Sequence, residues 1–455
     1  MNELNRNRRH FLKAVGAAGV STIVAGTAGA KGIVAAEPKE KLAIEGGTPV
    51  RKNMLGHSAY GPQYYNEAER REILEVLESR RPFRWWKDGS KALQFEQAYA
   101  AHIGVKYAIG VTSGTTALSA ALAALEIGPG DEVIMPAWTW YADYDTVVLA
   151  GALPVFAEVD NSLNIDPTDI EARITPRTKA IIAVSLQGCP ADMDPILEVA
   201  RKHKLRVLED FSQCVGGRYR GKYLGSIGDI GISSFQESKT ITAGEGGAVV
   251  TNDPVLFERA VRAHDVGSLR SPYKEDLGGG QIPGFAASNY RMNEFTGAIL
   301  KAQEQDLDTI CAALRSNARK VREGIADLPG LAMRKTPDLE GDLGVTIFLD
   351  HGTKERRDKF LRALRAEGIS ASSPGGSVIL PIDERIVNKV TVHPDWPSFN
   401  TPQGKAIRYG HECCPRTIDV QGRLGGVIMD PSFTDEDIGD IIKAIRKVYL
   451  AMYTA

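Results

Sequence analysis

The stretch SSFQESKTITAGEGGAVV, residues 233–250, sets a single lysine, Lys239, between the end of an apolar run and a glycine-rich turn. Upstream, GDIGISSF (228–235) alternates as a half-buried strand does and ends at Phe235. Downstream, GEGGAVVTND (244–253) reads as a tight turn into a second strand, closed by Asn252-Asp253-Pro254. A lone lysine reads first as a solvated surface charge. Between two strands, however, the amine is drawn out of water, and burial favours its neutral, nucleophilic form or a Schiff base with a carbonyl.

Outward from this stretch the chain alternates. YAIGV (107–111), EVIMP (132–136), LPVFAEV (153–159), KAIIAVSL (179–186) and LRVLED (205–210) read as strands. TTALSAALAALEIG (115–128), the segment around WYADYDTVVLAG (140–151) and MDPILEVARKHK (193–204) read as helices. Such an order predicts an α/β fold, a largely parallel sheet covered on both faces, with ligands bound at the carboxyl ends of the strands. After residue 290 the pattern changes to one long helical stretch, NEFTGAILKAQEQDLDTICAALRSNARKVREGIADL (293–328). A strand VTIFLDH (345–351) and helices KERRDKFLRALRAEG (354–368) and DEDIGDIIKAIRKVYLAMY (435–453) follow. The expected division is a large α/β domain over 37–310 and a smaller C-terminal α+β domain over 311–455.

At 455 residues, 43% hydrophobic and 25% charged, the chain has the composition of a globular protein, and a net charge of −2 gives no basis for nucleic-acid binding. Its five cysteines form no CxxC or Cys/His ligand pattern, so neither a metal site nor a disulfide framework is expected. RNRRHFLKAVGAAGVSTIVAGTAGA (6–30) joins Arg8-Arg9 to an uncharged, weakly apolar run. That order reads as a twin-arginine signal over residues 1–36, which implies the twin-arginine translocation machinery as a partner and an extracytoplasmic location. A basic tail or an uncleaved anchor are the alternatives.

Three of the strand ends carry polar groups suited to one ligand. VTSGTTAL (111–118) runs from a strand into a helix, and its Ser-Gly-Thr turn offers free N–H groups to a phosphate, or else forms an ordinary N-cap. LRVLEDFSQC (205–214) ends a strand at Asp210, followed by Gln213; alone, Asp210 also reads as a turn former. Trp140 follows the strand EVIMP and offers an aromatic face, or a packed indole. Phosphate cradle, aromatic plate, carboxylate and lysine amine together are what pyridoxal 5'-phosphate requires.

With these residues in place the sequence resembles the DegT/DnrJ/StrS family of sugar and cyclitol aminotransferases, of pyridoxal phosphate fold type I. The likeness runs from LAIEGGTPV (42–50) to CPRTIDVQGR (414–423) and takes in IGPGDEVIMPAWTW, GALPVFAEVD, LEDFSQCVGGRYRGKYLGSIGD, SFQESKTITAGEGGAVVTND and NYRM in the family order. GGTPV and CPRT resemble most the inosose aminotransferase and amino-hydroxybenzoate synthase branch. The resemblance implies amino transfer from glutamate or glutamine to a keto-sugar or keto-cyclitol. It makes Lys239 the Schiff-base lysine and proton shuttle, Asp210 the partner of the pyridine nitrogen, and Trp140 the ring-stacking residue. Gln213 would meet the ring face or its 3'-oxygen, and Gly114, Thr115 and Ser234 would bind the phosphate. Asn289 matches a position that reaches the phosphate of a neighbouring subunit, which implies a homodimer with shared active sites. A sugar dehydratase of the same fold, whose relatives carry histidine in place of the lysine, and an exported non-catalytic binding or scaffold protein are the other readings. The sequence departs from the family wording at Ser185, Gln187, Phe211-Ser212 and Asp143, positions expected to line or neighbour the acceptor site.

Overall fold

The computed structural model describes residues 40–56, 65–85 and 89–453. The signal-like segment at residues 1–36 lies outside them. Seven strands form the central sheet: β1 (Tyr107–Val111), β2 (Glu132–Pro136), β3 (Leu153–Ala157), β4 (Thr178–Val184), β5 (Arg206–Asp210), β6 (Ile230–Ser234) and β7 (Gly247–Thr251). Their order across the sheet is β1-β7-β6-β5-β4-β2-β3. Only β7 runs against its neighbours, pairing antiparallel with both β1 and β6. The carboxyl ends of the other six therefore share one edge, and the amino end of β7 joins them there.

The register sets which residues meet at that edge. Val111 of β1 lies opposite Gly247, and Gly247 opposite Ser234. One step further in, Ile232 of β6 pairs with Asp210 of β5, and Asp210 with Val184 of β4. The strand before Lys239 is not half-buried as its alternation predicts: every residue of β6 is buried, as is every residue of β7. Both strands lie inside the sheet, and the helix Gly114–Ala124 packs across them, so the small residues of GISS and GAVV fill a two-sided core.

Two glycines allow this close packing. A Cβ on Gly114 would come within 2.7 Å of the Ser234 Cβ, and one on Gly247 within 2.3 Å of the Ser113 carbonyl oxygen. Only bare backbone lets the helix start sit directly over the ends of β6 and β7. Beyond the sheet, Asn293 accepts from the Thr296 N–H and caps a helix of 32 residues, Glu294–Ile325. This helix crosses residue 310 unbroken, and its apolar stripe (Leu307, Ile310, Cys311, Leu314) belongs to a core that also holds Phe360 and Ile441. The boundary read at 310 thus falls inside a helix rather than in a linker, because the amphipathic repeat there continues without a break. A small antiparallel pair, Thr346–Asp350 with Leu424–Ile428, lies in the C-terminal part. No helix of the described residues is long and apolar enough to cross a membrane.

Candidate active site

A cavity of about 460 Å³ opens at the carboxyl edge of the sheet. Gly114, Thr115, Trp140, Asp210, Gln213, Ser234 and Lys239 all line it. Of the site residues read from the sequence, Asn289 alone lies elsewhere. It is exposed, its backbone bridges Asp265, and its Oδ1 accepts from the Arg291 N–H at 3.2 Å.

At one end of the cavity the helix Gly114–Ala124 begins. Ser113 caps it, accepting the Thr116 N–H at 3.2 Å, while Thr116 Oγ1 accepts the Ser113 N–H at 2.9 Å. This reciprocal cap commits the third N–H of the helix and leaves those of Gly114 and Thr115 without intrahelical acceptors. With the positive end of the helix dipole they suit a phosphate dianion, and Ser234 lies beside them at the end of β6. Replacing Gly114 with alanine is expected to push the helix start off Ser234. We predict a loss of at least about tenfold in pyridoxal phosphate affinity with the fold retained, measured by cofactor titration and thermal melting.

Asp210 terminates β5, buried, with Oδ1 accepting the Ser212 N–H at 2.8 Å. Burial pushes its carboxyl above the usual range, and Ser212, the Lys239 charge and Asp143 oppose that rise. Lys239 stands in the β6–β7 turn, where its N–H donates to the Gln236 carbonyl at 2.9 Å. Burial holds its amine below the ordinary lysine value, with Asp210 opposing the drop. A depressed lysine facing a buried carboxylate is the arrangement of a base poised to gain and lose a proton. Trp140 leads into the helix Tyr141–Leu149 and is 51% exposed, its indole forming one wall of the cavity.

Gln213 has a second use that its sequence neighbours did not reveal. Its Nε2 donates to the Gly376 carbonyl at 3.3 Å and to Ser377 Oγ at 3.2 Å, while its Oε1 accepts the Gln187 N–H. Gln187 Nε2 in turn donates to the Gly375 carbonyl at 2.5 Å. Two glutamines thus hold the turn Pro374-Gly375-Gly376 against the cavity, and Gly376 lines it. The sequence signal for this residue was a Pro-Gly-Gly turn, a breaker like many others. Ser238, Gln236 and Glu245 also line the cavity and were passed over for the same reason, lying in the loop around Lys239.

The positions that depart from the family wording do not all face the cavity. Ser212 does. Ser185 is buried, its Oγ accepting the Ala191 N–H at 3.0 Å, and Phe211 packs in the core. Asp143 lies behind Asp210. A second cavity, about 390 Å³, lies between Cys189, Arg334 and Phe348; its arginines are committed, Arg322 to Asp342 and Arg334 to the Leu186 and Ser162 carbonyls.

Helix-end N–H groups, an open indole face, a buried carboxylate and a lysine of lowered basicity match the phosphate, ring, ring nitrogen and aldehyde of pyridoxal 5'-phosphate. A sequence model of the DegT/DnrJ/EryC1/StrS aminotransferase family matches residues 64–373. GDP-perosamine synthase of Caulobacter vibrioides is 40% identical over 67% of this chain and 80% of its own length. A putative L-glutamine:3-amino-2,3-dideoxy-scyllo-inosose aminotransferase of Micromonospora echinospora is 33% identical over 81% of this chain and 87% of its own. The crystal structure of 3-amino-5-hydroxybenzoic acid synthase superimposes with a TM-score of 0.70 at 26% identity, covering 88% of this chain and 99% of that one.

Proposed function

The chain belongs to the DegT/DnrJ/EryC1/StrS aminotransferase family, and on that premise we propose that it carries an amino group from glutamate or glutamine to the carbonyl of a keto-sugar or keto-cyclitol. It is a pyridoxal phosphate-dependent transaminase with the fold of that family. The observation that carries the reading of the site is the convergence of seven residues, drawn from four separate chain segments, on one cavity in which the Asp210 charge acts on Lys239.

Bound pyridoxal phosphate supplies an electron-poor ring that accepts the electron pair left when a donor loses its α-hydrogen. The protein supplies the rest. Gly114 and Thr115 N–H groups and Ser234 hold the phosphate, and Trp140 fixes the ring plane. Asp210, as a carboxylate, keeps the ring nitrogen protonated; its burial makes that charge demanding of a cation, which a protonated ring nitrogen satisfies. Lys239 would hold the aldehyde through Nζ and, once freed by the donor amine, is placed to take the α-proton on Nζ and give it up again on the same side of the ring. Lowered basicity raises the share of the amine that is neutral and able to act as a base. Water then releases the donor as a keto acid, and the reverse sequence, which gives that water back, would deliver the nitrogen to the acceptor ketone.

In this reading the active unit is a homodimer with shared sites. Asn289 supports it: the residue is exposed and outside its own chain's cavity, beside Val266, which is exposed and whose N–H donates to the Ser288 carbonyl, and Arg291, whose guanidinium lies 5.7 Å from the exposed Phe83 ring. The Arg8-Arg9 pattern supports export of the folded chain by the twin-arginine machinery to act outside the cytoplasm.

The test is a half-reaction. Full-length protein loaded with pyridoxal phosphate is mixed with glutamate or glutamine and no acceptor. Loss of the visible absorbance with one equivalent of keto acid per site is expected. No change with either donor contradicts the donor assignment.

A further inference from the structure

Asp143 is the feature that the family reading does not use. It lies in the first turn of the helix Tyr141–Leu149 and is 1% exposed. Its Oδ2 accepts from Thr139 Oγ1 at 2.5 Å. Its Oδ1 is buried and has no donor within reach. The neighbour it does have is another buried carboxyl, Asp210, and the two side chains act directly on each other.

Two carboxylates cannot share a buried site as two charges, so the pair holds one proton between them. The surrounding donors decide which residue carries it. Asp210 has the Ser212 N–H and the Lys239 amine, both of which favour its charge. Asp143 has the Thr139 hydroxyl alone, and of the ionisable groups among the described residues only Asp210 bears on it. Burial and then the Asp210 charge push the Asp143 carboxyl well above the usual range. Thr139 donates to Oδ2, which leaves Oδ1 as the protonated oxygen, the same atom that lacks a donor. Thr139 is itself fixed, paired in a short ladder with Val378 next to the Gly376-Ser377 turn.

We propose that Asp143 is a positioning residue: a neutral carboxyl that donates from Oδ1 to Asp210, holding Asp210 ionised and turned towards the cavity. This rests on the reading above that Asp210 faces the ring nitrogen of the cofactor. The donated hydrogen bond weakens Asp210 as a base, so that a proton between Asp210 and the ring nitrogen would rest on the nitrogen. It also keeps the Asp143–Asp210 pair at one negative charge for as long as Asp143 holds its proton.

The experiment compares full-length wild type, Asp143→Asn and Asp143→Ala, each loaded with pyridoxal phosphate. Cofactor affinity, the pH dependence of the visible absorbance between about pH 6 and 10, and kcat against KM are read for each. Asn keeps a neutral N–H donor at the same place and is expected to hold affinity and kcat within about threefold of wild type. Ala removes the donor and is expected to weaken cofactor binding and lower kcat by about tenfold each, the cost of a hydrogen bond to a charged group, with KM for the donor little changed. Any change in the wild-type absorbance that accompanies loss of the Asp143 proton should be absent from both variants. The inference is overturned if Asn is as impaired as Ala, or if Ala keeps wild-type affinity and pH profile. A wild type that binds no cofactor overturns the proposed function and this inference with it; normal uptake with indifferent Asp143 variants overturns the inference alone.

Discussion

Lys239→Ala is expected to abolish amino transfer, with kcat falling by more than about 10⁴-fold, because one side chain serves both as covalent holder of the aldehyde and as the base that moves the α-proton. The variant should fold normally. No salt bridge involves Lys239 among the described residues, and the turn that carries it is held by backbone contacts such as Lys239 N–H to Gln236. It should also still bind pyridoxal phosphate, since the helix start at Gly114 and Thr115, the Trp140 face and Asp210 remain. Steady-state kinetics and absorbance together check this: bound cofactor with no turnover is the expected result. Unimpaired turnover would remove Lys239 from the mechanism.

Asp210→Ala is expected to lower kcat by about 10³-fold, comparable to breaking one partner of a buried charge pair. Asp210→Asn should fall nearly as far, since an amide matches the carboxylate in shape but cannot hold the ring nitrogen protonated. Donor KM should change little, because Asp210 faces the ring rather than the amino acid. Equal activity of Asn and wild type would show that the charge is not what the residue contributes.

Much of this site was legible because its residues sit at the ends of strands whose apolar runs are unmistakable. YAIGV and EVIMP were read at their observed limits, Tyr107–Val111 and Glu132–Pro136, and the helix DEDIGDIIKAIRKVYLAMY spans Asp435–Tyr453 as expected. The long helix read at 293–328 is found at Glu294–Ile325. Local pattern could not give the strand order. That β7 inserts between β1 and β6 depends on pairings between residues more than 130 positions apart, such as Val111 with Gly247. The same limit hid the full burial of β6, whose alternation looks one-sided until the helix Gly114–Ala124 covers it. Leu424–Ile428 escaped as a strand because LGGVI carries two glycines, which weaken any strand signal.

The remaining misses were contacts across sequence distance. Gly376 reaches the cavity only because Gln187 and Gln213 hold its turn there, and nothing near residue 376 announces that. Asp143 stood out as an unusual residue type, but its relation to Asp210 depends on where the first turn of the helix Tyr141–Leu149 meets the end of β5, a contact between residues 67 positions apart. Asn289 lies outside its own chain's cavity, so one chain is not enough to give it a role.

The central claim is that this cavity holds pyridoxal phosphate on Lys239. Borohydride reduction of the cofactor-loaded full-length protein fixes the covalent attachment, and peptide mass spectrometry then locates it. The account predicts the reduced adduct on Lys239 and its absence from the Lys239→Ala variant. An adduct on a different lysine, or none on protein that has taken up the cofactor, would contradict it.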